Sequence, residues 1–147
     1  MNKRFFALFA VLTLALIAAG CGGSDSISKE DFVTKADAIC KKGNDQIQAD
    51  VEAYAKKVGM TGQPTDAQAT EIADTILIPS VQSQHDDLKD LEVPSGDEKQ
   101  VNAILTTLQS DINQAKADPA ALIKSNGAFA KADQLAKDYG LTVCGQG

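Results

Sequence analysis

The chain has 147 residues, with 14 basic and 20 acidic side chains, a net charge of −6 and no tryptophan. That length fits one ordinary domain with a real core. The acid excess argues against nucleic acid, whose phosphates call for a basic patch, and against electrostatic attachment to anionic lipid headgroups.

Lys3 and Arg4 precede an apolar run from Phe5 to Ala19 that ends in Ala18-Ala19-Gly20-Cys21. A basic start, a short apolar stretch and small residues at a cleavage point are the parts of a secretory signal. The apolar run falls short of the ~20 residues that a permanent membrane span needs. In these residues the chain resembles the bacterial lipoproteins, whose lipobox ends in a cysteine that receives diacylglycerol and becomes the new N-terminus. Leucine is the commonest residue three before that cysteine; here Ala18 stands there, with Leu16 and Ile17 just upstream. The resemblance implies a signal peptide over residues 1–20 and lipidation of Cys21. It also implies anchoring to the cell membrane on its extracytoplasmic side, or to an outer membrane where the cell has one. Loss of Lys3 and Arg4 would leave 12 basic against 20 acidic residues, a net charge of −8. The lipid bilayer would then be engaged through acylated Cys21 rather than through surface charge. Residues 21–27, with Gly22-Gly23-Ser24-Asp25-Ser26, read as a flexible tether, and residues 28–147 as a helical domain.

Four helical stretches follow. Ser28-Lys29-Glu30-Asp31 resembles a capping box. Phe32, Ala36, Ile39, Cys40, Ile47, Val51, Tyr54 and Val58 then recur at helical spacing. Gly43 falls on that face, where it would permit close helix approach, and Gly59 stops the helix. A second box, Thr65-Asp66-Ala67-Gln68, opens a stripe running from Ala69 to Leu91. Pro79 interrupts that stripe and predicts a kink near Ile76–Ser80. Ser95-Gly96-Asp97-Glu98 reads as a third box before Val101, Ile104, Leu105, Leu108, Ile112 and Ala115. Asp118-Pro119 is an N-cap followed by proline at the first helical position. The stripe from Leu122 to Tyr139 ends at Gly140, and Leu141-Thr142-Val143-Cys144 reads as a short extended tail. No strand alternation stands out. The pattern predicts an all-α fold, an antiparallel four-helix bundle with a kinked second helix.

Beyond Cys21, two cysteines remain, Cys40 and Cys144. An even number in an oxidising compartment predicts a Cys40–Cys144 disulfide that tethers the C-terminal tail; two free buried thiols are the rival reading. The pairing of Lys35-Ala36-Asp37-Ala38-Ile39-Cys40 with the terminal Tyr139-Gly140-Leu141-Thr142-Val143-Cys144-Gly145 resembles a group of small helical bacterial lipoproteins. These carry one cysteine on the first helix and another at the extreme C-terminus. That resemblance implies the same disulfide and fold, and no activity.

Chemistry is sparse. His85, the single histidine, lies in His85-Asp86-Asp87, whose side chains point about 100° apart on a helix and do not converge on a metal. A solvated face of the second helix is expected there, with His85 dispensable. Asp37 and Asp50 lie beside core positions, but lysines sit within a turn or two. Gln84, Asn113, Ser125 and Asn126 fall near the inner faces and could line a ligand cavity; the simpler reading leaves them wet at stripe edges. No catalytic residue, cofactor or metal is expected. The reading is a non-enzymatic binding or structural role in the cell envelope. The alternative is a carrier of a small apolar or amphipathic ligand within the bundle, and an exported hydrolase or metalloenzyme has less support.

Overall fold

The computed structural model describes residues 26–124 and 127–146. Residues 1–20, expected to be a signal peptide, and Cys21, Ser125 and Asn126 lie outside the described residues. Those described form helices and turns, with no strand among them, and no helix among them is long and apolar enough to cross a membrane.

Helix α1 (Lys29–Val58) starts where Ser28 Oγ accepts the Asp31 N–H at 3.0 Å, and it ends at Gly59, whose φ of 66° supplies the left-handed cap. Helix α2 (Asp66–Ile72) opens with the full capping box: Thr65 Oγ1 accepts the Gln68 N–H, and Gln68 Oε1 accepts the Thr65 N–H. The chain then passes through a π turn (Ala73–Leu77) into α3 (Ile78–Lys89) without a loop. Pro79 lies just past that turn. Proline lacks an N–H and its ring crowds the carbonyl four residues back, so the widened turn fits the site where the normal ladder would be broken.

Helix α4 (Glu98–Ala117) begins differently from the expected third box. Asp97 is the N-cap and makes no side-chain cap bond, while Glu98 Oε2 accepts the Gly96 N–H at 2.9 Å. Gly96, at φ 94°, turns the chain so that Ser95 does not reach the helix start. The last expected helix is broken in two. Asp118 Oδ1 accepts the Ala121 N–H and caps α5 (Pro119–Lys124), and a turn that includes Gly127 at φ 134° precedes α6 (Ala130–Tyr139). Gly127 takes a positive φ that does not belong to a right-handed helix, and the next helix starts only at Ala130. The tail is also a turn rather than extended: Thr142–Gly145 curl, and the Gln146 N–H reaches the Val143 carbonyl.

Helix α1 packs on α3, α3 on α4, and α4 on α6, while α2 and α5 pack together at the π-turn side. One core cluster joins Phe32, Ala36 and Cys40 of α1 to Leu88, Val101, Ile104, Ala136, Tyr139 and Leu141. A second gathers Ile78, Ile112 and Ala115, with Val81, Leu108, Leu122 and Phe129 against them. Gly43 sits where α1 meets α3, and a Cβ there would lie 2.2 Å from Gln84 Cδ. The missing side chain therefore makes the space that the Gln84 carboxamide fills.

Candidate functional site

The C-terminal tail is held twice. Cys40 and Cys144 form a disulfide with Cα atoms 5.1 Å apart. Asp37, one turn before Cys40 on α1, accepts three successive backbone N–H groups: Thr142 at 3.0 Å, Val143 at 2.9 Å and Cys144 at 3.2 Å. Thr142 Oγ1 adds a bond at 2.9 Å. These are charge-assisted bonds to a carboxylate. Gly140, at φ 114°, reverses the chain so that the tail lies along α1. Asp37 thus has a structural task and is not free for acid–base work.

Behind the tail lies a partly enclosed cavity of about 90 Å³, bounded by apolar side chains that include Leu88, Ile104, Leu108 and Phe129, with Asn44, Gln84 and Asp133 as its polar wall. Gln84 is buried, so it follows the cavity reading and not the wet one, whereas Asn113 is exposed.

Two carboxyls between α4 and α6 escaped the sequence reading. Asp133 shares the face of Phe129, Ala132 and Ala136, and burial raises its pKa, with Asp111 adding to the rise and Lys137 opposing it. Burial likewise raises Asp111, against Lys131, and Asp111 Oδ2 is buried with no hydrogen-bond partner among the described residues. With pKa values raised in the fold, both groups are protonated in either state at low pH and cost nothing there. As pH rises past 3.8, the ordinary value for an aspartate, the unfolded chain ionises first and the fold loses stability until its own higher pKa is passed. Asp133→Asn is therefore expected to raise the melting temperature at neutral pH, with a gain that fades towards pH ~4. Thermal melts of the two proteins across that range test it, and a gain independent of pH would refute the assignment.

His85 corrects the expected solvated face: it is 6% exposed. Val81, Gln84, His85 and Leu88 share helical spacing, so the ring lies on the packed stripe despite its acidic neighbours. It closes the floor of a groove of about 750 Å³ between α3 and α4, walled from α4 by Asn102, Thr106, Gln109, Ser110 and Asn113. A hydrogen-bond relay fixes this wall. His85 Nδ1 pairs with Asp86 Oδ1 at 3.0 Å, and Gln82 Nε2 donates to the same oxygen at 3.0 Å. Gln82 and Gln109 exchange two amide bonds at 3.1 and 3.3 Å, and Gln109 Nε2 donates to Asn113 Oδ1 at 3.1 Å. Lys116 Nζ donates to Gln82 Oε1 at 2.7 Å. The Gln82, Gln109 and Asn113 carboxamides are thereby oriented in advance of any ligand.

No protein-family model matches the chain, and neither a curated protein nor a solved structure matches it.

Proposed function

We propose that this chain is a membrane-anchored extracytoplasmic lipoprotein. Its domain is an antiparallel four-helix bundle, kinked in the second helix at the π turn, with a non-enzymatic binding role in the cell envelope. The observation that carries the reading is the Cys40–Cys144 disulfide. Such bonds persist in oxidising, extracytoplasmic compartments, and the export signal with its lipobox leads to the same place.

Binding at the surface is favoured over carriage inside the bundle. A cavity of about 90 Å³ is far smaller than the 300–1,000 Å³ of typical ligand pockets. The α3–α4 groove is open to solvent along its length and offers polar side chains at the surface. Among the described residues the large apolar side chains left exposed are Val58 and Ile123, on separate helices, so an apolar docking patch is not what the surface offers.

The anchor is tested at Cys21. Cys21→Ser is expected to leave an uncleaved precursor of higher mass that takes up no labelled fatty acid, while the native chain matures and partitions with detergent. Equal detergent partitioning of a cleaved Cys21→Ser protein would refute the lipoprotein reading.

A further inference from the structure

We propose that the α3–α4 groove binds a short, uncharged polypeptide segment in extended conformation, gripped through its backbone. The proposal rests on the binding role above and names its ligand.

The first observation is the absence of charge. Nearly a quarter of the chain is Asp, Glu, Lys or Arg, yet Lys89 alone among the described lining residues carries a formal charge. Four carboxamides and two hydroxyls take the place where a solvated helix face would ordinarily show charges. A cationic ligand would meet no opposite charge along the lining, and an anionic one only Lys89.

The second is the buried imidazole. His85 is more than nine-tenths buried, its Nδ1 is committed to Asp86, and among the described residues no partner takes Nε2. A ring held so firmly at the groove floor can present one ring nitrogen to a ligand.

The third is which groups stay free. The relay uses both amide hydrogens of Gln82 and of Gln109. Asn102 and Thr106 make no side-chain bond among the described residues, and Asn113 is engaged only as an acceptor through Oδ1. On α4 these residues share one stripe from 102 to 113, about 17 Å long at 1.5 Å per residue. An extended strand of about five residues covers that distance at ~3.3 Å each. Along one edge such a strand offers an N–H and a C=O together at every second residue. A side-chain carboxamide, with one donor face and one acceptor face, complements that pair as Gln82 complements Gln109. Sugars also offer hydroxyl donors and acceptors, but no aromatic side chain lines the groove to stack on a ring face.

The test uses the full chain, purified in detergent and immobilised, so it does not depend on the outcome at Cys21. It is panned with displayed random pentapeptides built without Asp, Glu, Lys or Arg, and enriched sequences are measured as blocked synthetic peptides. Thr106→Arg, at an exposed position that leaves the fold intact by circular dichroism, should weaken binding at least about tenfold. Asn102→Ala and Asn113→Ala should each weaken it about three- to tenfold, as for one or two lost hydrogen bonds. Raising salt from ~50 to ~500 mM should change the affinity less than about twofold, because no ion pair is screened. Gln46→Arg, an exposed position on α1 outside this groove, should leave it unchanged. No enrichment over the Thr106→Arg protein, enriched peptides that bind both proteins alike, or binding of chitotetraose at the same residues in place of peptide would each overturn the proposal.

Discussion

Cys144→Ser is expected to cost about 3–5 kcal/mol of stability, the range for a crosslink enclosing a loop of about 100 residues, and to lower the melting temperature by on the order of 10–20 °C. The two cysteines are separated by 104 positions, so the unfolded chain gains nearly the whole domain's freedom when the bond is lost. The native fold should survive at low temperature. Asp37 still accepts the three tail N–H groups and the Thr142 hydroxyl, and Tyr139 and Leu141 stay in the core. Far-ultraviolet circular dichroism at 10–20 °C (ordinary laboratory conditions, roughly where stability peaks) should therefore match the native protein. Asp37→Ala should show a larger loss in the Cys144→Ser background than in the native one, since the disulfide otherwise holds the tail in place. An unchanged melting point in Cys144→Ser would mean that the crosslink itself contributes nothing to the domain's stability.

Local chemistry was legible in the sequence. The caps at Ser28, Thr65 and Asp118 and the stops at Gly59 and Gly140 act within one turn of themselves, and each stands where its residue type requires. Gly43 was legible for a similar reason: a glycine on an apolar face has few uses other than close approach. The third capping box failed because Ser95 and Glu98 have the right spacing but Gly96 takes a positive φ and sends the chain elsewhere. His85 was misread because its acidic neighbours outweighed its position, and Asp133 was passed over. Both fall three residues from a buried one, Leu88 in one case and Ala136 in the other. The Asp37 clamp needs two segments more than 100 positions apart, and no spacing rule reports that. The groove was half visible: the uncharged run Asn102, Thr106, Gln109, Asn113 can be read on α4, but its floor comes from α3 and exists only once the two helices pack.

Phe32→Ala is expected to cost about 3–5 kcal/mol, as for other buried Phe truncations, a large share of the 5–15 kcal/mol typical of a whole domain. Phe32 is 2% exposed and meets Tyr139 edge to face, with ring centroids 5.8 Å apart. Removing it opens a cavity where α1 faces the end of α6 and leaves Tyr139 without its aromatic partner, itself worth about 0.5–1.5 kcal/mol. Tyr139 is fixed from other sides too. Its hydroxyl donates to Asp97 Oδ2 at 2.7 Å, Lys29 Nζ lies 4.1 Å from its ring centroid, and burial, then Asp97, raise the phenol pKa. Tyr139→Phe keeps the ring and drops only the hydroxyl, so it should cost about 0.5–1.5 kcal/mol. Phe32→Leu, which retains most of the buried volume, should fall between the two. Urea denaturation of the three variants, read as free energies, should return that order. If Phe32→Ala fails to fold, the order of Phe32→Leu and Tyr139→Phe still decides the matter. A Phe32→Leu protein as stable as the native one would show that the α1–α6 contact does not hold the domain together, and that the disulfide and the Asp37 clamp carry the junction instead.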